Sequence, residues 1–407
     1  MLEATPVVVI EGARQVGKST FAGMLLDGRP HVSLTLDDEG TRTLLREDPV
    51  GLLGQYAGQT VLIDEAQREP DALIDVKAAV DKDRRPGRFV LTGSSDLLRL
   101  PRSPESLAGR SMVVSLRGLS QGELRGQRED FASWLLAQQD TKPERFGTTW
   151  TRQEYVTEIT LGGYPELRAL APDLRRDWVR AYIAALLRRD ARDIRKRIDP
   201  VRLRAVLRLL AAAPAGELVK GRIAQAAGLS ASTVNGYFDT LATMFLTIDV
   251  PPWTRNLTRR ETGRHKVSVA DTGVNAYVAG LAAAKLATVG AGQDLGPLTE
   301  AFVTSELLKQ SGWTANPFDM YHWRDADGLE VDLVLELEDG RAILLEVKTA
   351  QAYRPAQATS LRRVAAALGD RFAAGAVLGM GSHGLRIGDR MYYLPIAALW
   401  DHADRPQ

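Results

Sequence analysis

One short stretch near the N-terminus has the residue types and the spacing needed to hold phosphate. It reads GARQVGKST over residues 12–20 and directly follows the apolar run VVVI over residues 7–10. Glycines let the backbone wrap closely around a phosphate group, with N–H groups pointing inward at the start of a helix. The Lys18 ammonium would reach the β- and γ-phosphates, and the Ser19 hydroxyl would bind Mg²⁺. The stretch therefore predicts a site for ATP and Mg²⁺.

Two later strand ends supply the acidic and hydroxyl groups that ATP hydrolysis would need. The apolar run TVLI ends in Asp64 and Glu65, and the run RFVLTGSS ends in Ser94 and Ser95. Asp64 suits a Mg²⁺ ligand, Glu65 suits a general base that polarises the attacking water, and either serine could bond the γ-phosphate or that water. Lys18 and Glu65 are the predicted catalytic residues, and Ser19 and Asp64 are the predicted Mg²⁺ ligands. The predicted nucleotide-binding residues are Gly12, Ala13, Arg14, Gln15, Val16, Gly17, Lys18, Ser19, Thr20, Asp64 and Ser94.

A second group of charged residues, near the C-terminus, has the types that bind divalent metal ions. The strand-like runs LEVDLVLEL and AILLEVKTA are separated by Asp339-Gly340, which is a strong hairpin signal. Successive strand side chains point to opposite faces, so Glu346 and Lys348 share one face. Clustered carboxylates hold Mg²⁺, and a lysine helps to position or activate water. The alternative is a polar-faced hairpin with an Asp–Lys pair, worth no more than about 1 kcal/mol if exposed.

The order of elements around this hairpin resembles the PD-(D/E)XK nuclease superfamily. A helix over 296–310, three strands over 319–350, a helix over 356–368 and a strand over 373–381 give an α-β-β-β-α-β order with D…ExK spacing. The resemblance implies a metal site of Glu300, Asp332 and Glu346, with Asp332, Glu346 and Lys348 as catalytic residues. This fold can persist as a DNA-binding or structural module, so the resemblance alone does not imply an active nuclease.

The composition of the whole chain limits the number of domains and the class of protein in which these sites lie. Its 407 residues predict two to four domains, and 44% hydrophobic and 25% charged residues are typical of a soluble globular protein. No apolar run reaches the roughly 18 residues of a membrane span, and the N-terminus lacks signal-peptide features. The chain has no cysteine, which fits the cytoplasm and excludes disulfides. A net charge of +1 means that nucleic-acid binding would need a local basic patch.

The middle of the chain combines a basic helical region with a helix-turn-helix pattern. Arginines outnumber acids over residues 175–222, which is compatible with a nucleic-acid surface, a solvated face or a lid over ATP. Over residues 221–244, Gly228 suits a left-handed turn and Ser230 suits the cap of a second helix. Strand-like runs over 245–250 and 266–270 could form a wing, which predicts a winged-helix domain.

DNA contacts of such a winged helix would come mainly from the wing loop. That loop carries Arg255, Arg259 and Arg260. The residues expected to face outward on the second helix include no Lys or Arg to contact phosphate or guanine. They are Ser232, Asn235, Gly236 and Asp239. A winged helix used for subunit or protein contact is therefore the competing interpretation.

The phosphate-binding stretch and two downstream motifs resemble one bacterial and archaeal family over nearly the whole chain. The motifs are LGGYPE over residues 161–166 and LLRRDARDI over residues 186–194. In that family an AAA-type P-loop ATPase domain precedes a C-terminal domain of unknown function numbered 4143. The resemblance implies an AAA-type domain over 1–150, a helical lid and winged-helix domain over 151–280, and a restriction-endonuclease-like α/β domain over 281–407.

Together these patterns predict an ATPase that acts on DNA. ATP hydrolysis would control DNA binding or metal-dependent DNA cleavage, and Arg110 or Arg189 is the candidate for an arginine finger in its own or a neighbouring subunit. The competing function is a nucleotide-dependent switch whose later domains bind partner proteins or a second copy without nuclease activity. No membrane partner is expected.

Overall fold

The computed structural model describes residues 1–97, 107–140, 147–254, 260–261, 263–288 and 292–401. Its N-terminal part is built on a five-stranded parallel sheet in the order β2-β3-β4-β1-β5. The strands are β1 (Val7–Glu11), β2 (His31–Thr35), β3 (Thr60–Asp64), β4 (Phe89–Gly93) and β5 (Ser111–Ser115). The predicted α/β class is therefore confirmed, and the sheet is parallel throughout its described strands.

Helices cover both faces of this sheet, which explains why its central strands read as unbroken apolar runs. The helices are α1 (Lys18–Leu26), α2 (Glu39–Glu47), α3 (Pro49–Gly54) and α4 (Ala72–Lys82). Val8 packs with Leu26 of α1 on one face, and Val9 belongs with Val76 of α4 to the core of the other. Strand β1 leads at its carboxyl end into the phosphate-binding stretch, which therefore lies at the N-terminus of α1.

The middle of the chain is mainly helical and ends in a small antiparallel sheet. Its helices are α5 (Phe131–Leu136), α6 (Arg152–Leu161), α7 (Pro165–Ala169), α8 (Pro172–Ala185), α9 (Ala191–Ile194), α10 (Pro200–Ala211), α11 (Lys220–Ala226) and α12 (Ala231–Thr243). A π-helical turn, Leu186–Asp190, joins α8 to α9. The sheet has the order β6-β8-β7, with strands β6 (Gly216–Glu217), β7 (Thr247–Val250) and β8 (Lys266–Val269).

The turn between α11 and α12 has the predicted local chemistry. Gly228 has φ +64°, and the Ser230 hydroxyl accepts a hydrogen bond from the backbone N–H of Thr233 at 3.1 Å. The expectation that Gly236 faces outward is wrong. It is buried, and a Cβ at this position would lie 1.6 Å from the Arg195 guanidinium, so the helix faces inward there.

The C-terminal part is a six-stranded mixed sheet in the order β13-β14-β12-β11-β10-β9. Its strands are β9 (Phe318–Arg324), β10 (Glu330–Leu337), β11 (Ala342–Val347), β12 (Phe372–Gly379), β13 (Leu385–Gly388) and β14 (Met391–Pro395). Its helices are α13 (Thr272–Ala279), α14 (Ala283–Leu286), α15 (Gly292–Gln310) and α16 (Thr359–Leu368). Gly340, at φ +80°, makes the predicted turn between the antiparallel strands β10 and β11. The predicted α-β-β-β-α-β order is present, and β13 and β14 extend it.

The core of this second large sheet also includes residues from much earlier in the chain. Phe131 of α5 and Tyr155 of α6 pack with Leu333 and Leu378 in one continuous apolar cluster. Residues that follow the N-terminal sheet in sequence thus pack in the core of the C-terminal sheet. Within the described part of the chain, no helix combines the length and apolar character that crossing a bilayer requires.

Candidate nucleotide site and carboxylate site

The phosphate-binding stretch forms a tight loop whose lysine is turned onto its own backbone. Gly12 has φ +152°, and a Cβ there would lie 2.0 Å from the carbonyl oxygen of Leu116, so only glycine fits. The Lys18 ammonium donates to the carbonyl oxygens of Gly12 at 3.1 Å and Ala13 at 3.0 Å. Burial lowers the pKa of Lys18. A phosphate group in the loop would offer this buried ammonium a stronger, charged acceptor than two carbonyls.

The two predicted Mg²⁺ ligands lie next to each other. The Ser19 hydroxyl donates to Asp64 Oδ1 at 3.2 Å, and the Thr92 hydroxyl donates to the same carboxylate oxygen. A hydroxyl and a carboxylate at the mouth of a phosphate loop are oxygen ligands of the kind Mg²⁺ takes together with substrate phosphates. The donor set present therefore fits the predicted ion.

The Glu65 carboxylate is bonded by two neighbouring side chains. Its φ of +57° is a strained value for a non-glycine residue, and its backbone N–H donates to the Thr92 hydroxyl at 3.1 Å. The Ser94 hydroxyl donates to Glu65 Oε2 at 3.1 Å, and the Gln67 amide donates to both of these groups. Ser94 thus lies beside the site, as predicted. Gln67 was missed, although its position two residues after Glu65 is a signal that could have found it.

Helices of the middle region contact the phosphate loop directly. The Arg14 guanidinium donates to Asp190 Oδ1 at 2.7 Å, and the Tyr182 hydroxyl donates to the Arg14 carbonyl oxygen at 3.1 Å. The Tyr182 and Tyr164 hydroxyls are 2.8 Å apart. Burial raises the pKa of Asp190 despite the opposing effect of Arg14. Asp190, which was not predicted as a site residue, therefore connects the π-helical turn to the loop.

Of the two arginine-finger candidates, Arg110 lies in a position that argues against action in its own subunit. The Arg110 carbonyl accepts from the backbone N–H of Val7, at the amino end of β1, whereas the loop follows its carboxyl end roughly 13 Å away. The Arg110 side chain pairs with Asp81 at 2.8 Å. Arg189 is exposed to solvent. Contact of Arg110 with a γ-phosphate of its own subunit is thus wrong, and contact with a neighbouring subunit stays a prediction.

The motif LGGYPE lies where three parts of the chain meet. A Cβ on Gly163 would lie 2.5 Å from the Leu119 carbonyl oxygen, and the Leu119 N–H donates to the Gly163 carbonyl at 2.8 Å. The Gly163 N–H donates to Asp271 Oδ2 at 2.7 Å. Gly162 has φ +73° and Tyr164 is buried. Close backbone approach to the segment after β5 is therefore the physical reason for Gly163, whereas the left-handed φ and the nearby Asp271 carboxylate are the reason for Gly162.

The four residues predicted near the C-terminus come together at one end of the β10–β11 hairpin. Asp332 Oδ2 accepts from the Val347 N–H at 2.8 Å, and the Lys348 ammonium lies 2.5 Å from Glu346 Oε1 and 3.9 Å from Asp332 Oδ2. Glu300, on α15, closes the group from the helix side. Glu346 Oε2 is buried without a hydrogen-bond partner.

Two further residues complete this group and were missed from the sequence. The Lys266 ammonium lies 2.6 Å from Glu300 Oε1, 2.5 Å from Glu330 Oε1 and 3.9 Å from Asp332 Oδ1. Glu330 is two residues before Asp332, so strand alternation could have identified it. Lys266 could not have been found, because it belongs to β8 of the middle region. We call this set the carboxylate site: Glu300, Glu330, Asp332 and Glu346, with Lys266 and Lys348.

Burial and mutual repulsion make this an unusual electrostatic environment. Burial, together with the charge of Asp332, raises the pKa of Glu300 to about 8 and that of Glu346 to about 7. Burial also raises the pKa of Asp332. The surrounding carboxylates hold the pKa of Lys266 above its usual value although burial opposes them. The site therefore holds more carboxyl groups than its two lysines can pair with in ionised form, and protonation relieves part of the repulsion.

In the predicted wing loop, the one described arginine, Arg260, makes contacts inside the protein. Arg255 and Arg259 lie outside the described residues. The Arg260 guanidinium contacts Glu336 Oε2 at 2.7 Å and the Tyr321 hydroxyl at 3.0 Å, so its charge is already paired inside the protein. The expectation of Arg260 as a free DNA contact is corrected accordingly. Ser232, Asn235 and Asp239 are exposed on α12 as expected.

Comparisons with known families match three consecutive parts of the chain. Residues 4–125 match an AAA domain, residues 152–285 match a domain of unknown function (DUF8612), and residues 295–399 match a domain of unknown function (DUF4143). Uncharacterized proteins of Mycobacterium bovis and Mycobacterium tuberculosis are each 28% identical over 396 residues, which are 97% of this chain and 81% of theirs.

Two solved structures share only weak similarity with the chain. One is a signal transduction ATPase (STAND) protein with a tetratricopeptide repeat sensor from Pyrococcus horikoshii, at 14% identity and TM-score 0.25, covering 74% of this chain and 43% of its own. The other is a DNA polymerase III gamma subunit-related protein from Thermotoga maritima, at 10% identity and TM-score 0.23, covering 60% and 96%. Similarity at this level carries no argument.

The family matches confirm the resemblance that the nucleotide motifs and the downstream motifs predicted. They leave the nuclease character of the C-terminal part unassigned. The AAA match and the geometry of the phosphate loop together support an ATP-dependent activity. The chain thus matches an AAA domain in its N-terminal part and a DUF4143 domain in its C-terminal part.

Proposed function

We propose that this protein binds ATP with Mg²⁺ and hydrolyses it at the phosphate loop. The observation that carries the proposal is the contact between Ser19 and Asp64 at the mouth of the loop, with Glu65 next in sequence. Mg²⁺ would neutralise phosphate charge when bound, and Ser19 and Asp64 would hold it. Lys18 would exchange its two loop carbonyls for phosphate oxygens.

Glu65 would act as the general base on water, and its present bonds describe a resting position. Ser94 and Gln67 both donate to its carboxylate, which lowers its ability to accept a proton from water. We infer that nucleotide binding rearranges this pair and frees Glu65. Asp190 on the lid accepts a hydrogen bond from Arg14, so nucleotide binding at the loop would also move the helices of the middle region.

We further propose that the middle and C-terminal parts form a winged helix and a nuclease-like domain, within the divisions 1–150, 151–280 and 281–407. The order α10, β6, α11, α12, β7, β8 supports the first. The convergence of Glu300, Asp332, Glu346 and Lys348 supports the second. Metal-dependent DNA cleavage is the proposed chemistry of the carboxylate site, and a partner-binding switch without cleavage is the competing function.

ATP turnover by the full-length chain tests the proposal. Wild type should hydrolyse ATP only with Mg²⁺, and Lys18→Ala should lose ATP affinity by about 100-fold, because a charge-assisted bond to phosphate is removed. Lys82→Ala, at an exposed lysine of α4, is the matched control and should behave as wild type. Equal ATP affinity of Lys18→Ala and wild type would disprove the nucleotide site.

Addition of DNA separates the two proposed uses of hydrolysis. DNA-stimulated turnover with salt-sensitive binding would support action on DNA. Turnover that ignores DNA, with no cleavage by wild type in Mg²⁺ or Mn²⁺, would favour the partner-binding switch. Where cleavage is seen, Lys348→Ala should abolish it and still bind metal, because the lysine acts on water.

A further inference from the structure

The Lys266 ammonium occupies the centre of three carboxylates that belong to another part of the chain. It lies 2.6 Å from Glu300 and 2.5 Å from Glu330, and its side chain is 6% exposed. Oxygens of Glu300, Glu330 and Asp332 all lie within 4.8 Å of one another, close enough to share one cation. An ammonium and a divalent ion cannot hold this position together.

A single ammonium leaves the carboxylate site incompletely satisfied. Glu346 Oε2 is buried in the site without a partner, and the whole residue is only 7% exposed. Four carboxylates face two lysines and the Arg324 guanidinium, which lies 3.9 Å from Glu330 Oε2, whereas a hard divalent cation takes up to six oxygen ligands and carries twice the charge of an ammonium. The orphan oxygen and the excess of acid are independent signs that the site suits a metal ion better than a lysine.

Both sides of this contact are tied to the segment that follows β5 of the AAA domain. On the Lys266 side, Asp271 directly after β8 accepts from Gly163, and Gly163 is bonded to Leu119. On the other side, α15 carries Glu300 and also Glu306, which accepts from the Gln121 N–H at 2.7 Å. Strand β5 pairs with β1, which leads into the phosphate loop. The phosphate loop is therefore connected, through β1, β5 and the segment 118–121, to both β8 and α15.

We propose that Lys266 is a built-in substitute for a divalent cation, which keeps the carboxylate site closed to metal until β8 withdraws. This rests on the proposed metal-binding role of the carboxylate site. The protein thereby couples the AAA domain to the DUF4143 domain by exclusion: metal enters the C-terminal site only in the nucleotide state that removes the lysine.

Manganese binding by the full-length chain without nucleotide tests this, with calorimetry and electron paramagnetic resonance as readouts. Lys266→Met should gain one Mn²⁺ per chain relative to wild type, and adding Asp332→Asn should remove that ion. The Asp332→Asn comparison also subtracts Mn²⁺ bound at Ser19 and Asp64. Lys285→Met, at a lysine whose side chain is 69% exposed, is the matched control and should gain none.

The outcomes distinguish exclusion of metal by Lys266 from metal binding by the carboxylate site. Wild type that binds this ion as tightly as Lys266→Met would overturn the exclusion and leave the metal site standing. A folded Lys266→Met that gains no Mn²⁺ would overturn both, because the carboxylates would then be a structural ion cluster. Should Lys266→Met not fold, Lys266→Met with Glu330→Gln removes one charge of each sign. This double variant should gain Mn²⁺ through Glu300 and Asp332, and a folded double variant without that gain overturns the proposal.

Discussion

The nucleotide site and the carboxylate site solve the problem of buried charge in opposite ways. Lys18 is satisfied by Gly12 and Ala13, carbonyls of its own loop a few residues away. Lys266 is satisfied by Glu300 and Glu330, which lie in other elements much later in the chain. The first arrangement is local and survives rearrangement of the domains. The second exists only while the middle and C-terminal parts stay docked.

This difference indicates which of the two sites changes when nucleotide binding shifts whole structural elements. A local site keeps its own partners when distant elements shift, whereas an assembled site changes whenever one of its elements shifts. The connecting structure is the segment 118–121 after β5, which bonds LGGYPE and α15. Substitutions in each site and at the contacts between them would show whether the nucleotide site is self-contained and the carboxylate site assembled.

The largest effect is expected for Glu65→Gln in the nucleotide site. Turnover should fall by at least about 100-fold with ATP affinity retained, because only the water-activating group is removed. Radioactive ATP binding and phosphate release measure the two quantities separately. Glu47→Gln, at an exposed glutamate of α2, should match wild type. Unchanged turnover in Glu65→Gln would remove this residue from the catalytic role.

The next largest effect, a loss in the free energy of unfolding, is expected for Glu306→Gln where α15 contacts the segment 118–121. Glu306 is fully buried, and the Lys309 ammonium donates to it at 2.6 Å and to the Leu119 carbonyl at 3.1 Å. Removing the negative charge leaves a buried ammonium without a counter-ion, which costs about 3–5 kcal/mol. Urea unfolding should show this loss, and Glu306→Gln with Lys309→Met should recover part of it. Identical losses in the single and double variants would contradict this explanation.

An intermediate effect is expected for Gly163→Ala in LGGYPE. The added methyl group would meet the Leu119 carbonyl oxygen at 2.5 Å, so backbone must shift, at a cost of about 1–3 kcal/mol. Thermal unfolding measures the loss. Gly23→Ala is the matched control, because no atom lies within 4 Å of a Cβ there and alanine favours the helix by up to about 1 kcal/mol. Equal behaviour of the two variants would mean that the close approach is not a constraint.

The smallest effect is expected for the Arg14–Asp190 pair between loop and lid. Its side chains are 25% and 16% exposed, so partial solvent screening limits the pair to about 1 kcal/mol. Arg14→Ala and Asp190→Asn should each change ATP affinity by about fivefold or less, and the double variant should not be additive. Additive changes would show that the two residues act independently of each other.

The sequence alone determined those parts of the protein whose residues are neighbours along the chain. Strand, phosphate loop and helix follow one another within residues 7–26, and the hairpin turn at Gly340 depends on two adjacent residues. Periodicity and turn chemistry act over such short distances, so β3, β4, β10 and β11 with Asp64, Glu65, Asp332 and Glu346 were predicted.

Only the tertiary structure decided which distant residues share a site. Lys266 and Glu300 are 34 residues apart, and Arg14 and Asp190 are 176 apart, so no local pattern relates them. Arg260 and Gly236 looked exposed from their loop and helical contexts, yet Arg260 pairs with Glu336 inside the protein and Gly236 is buried beside Arg195. Contacts of this kind depend on how whole elements dock, because buried charges and close backbone approaches are satisfied by whichever neighbour the fold supplies.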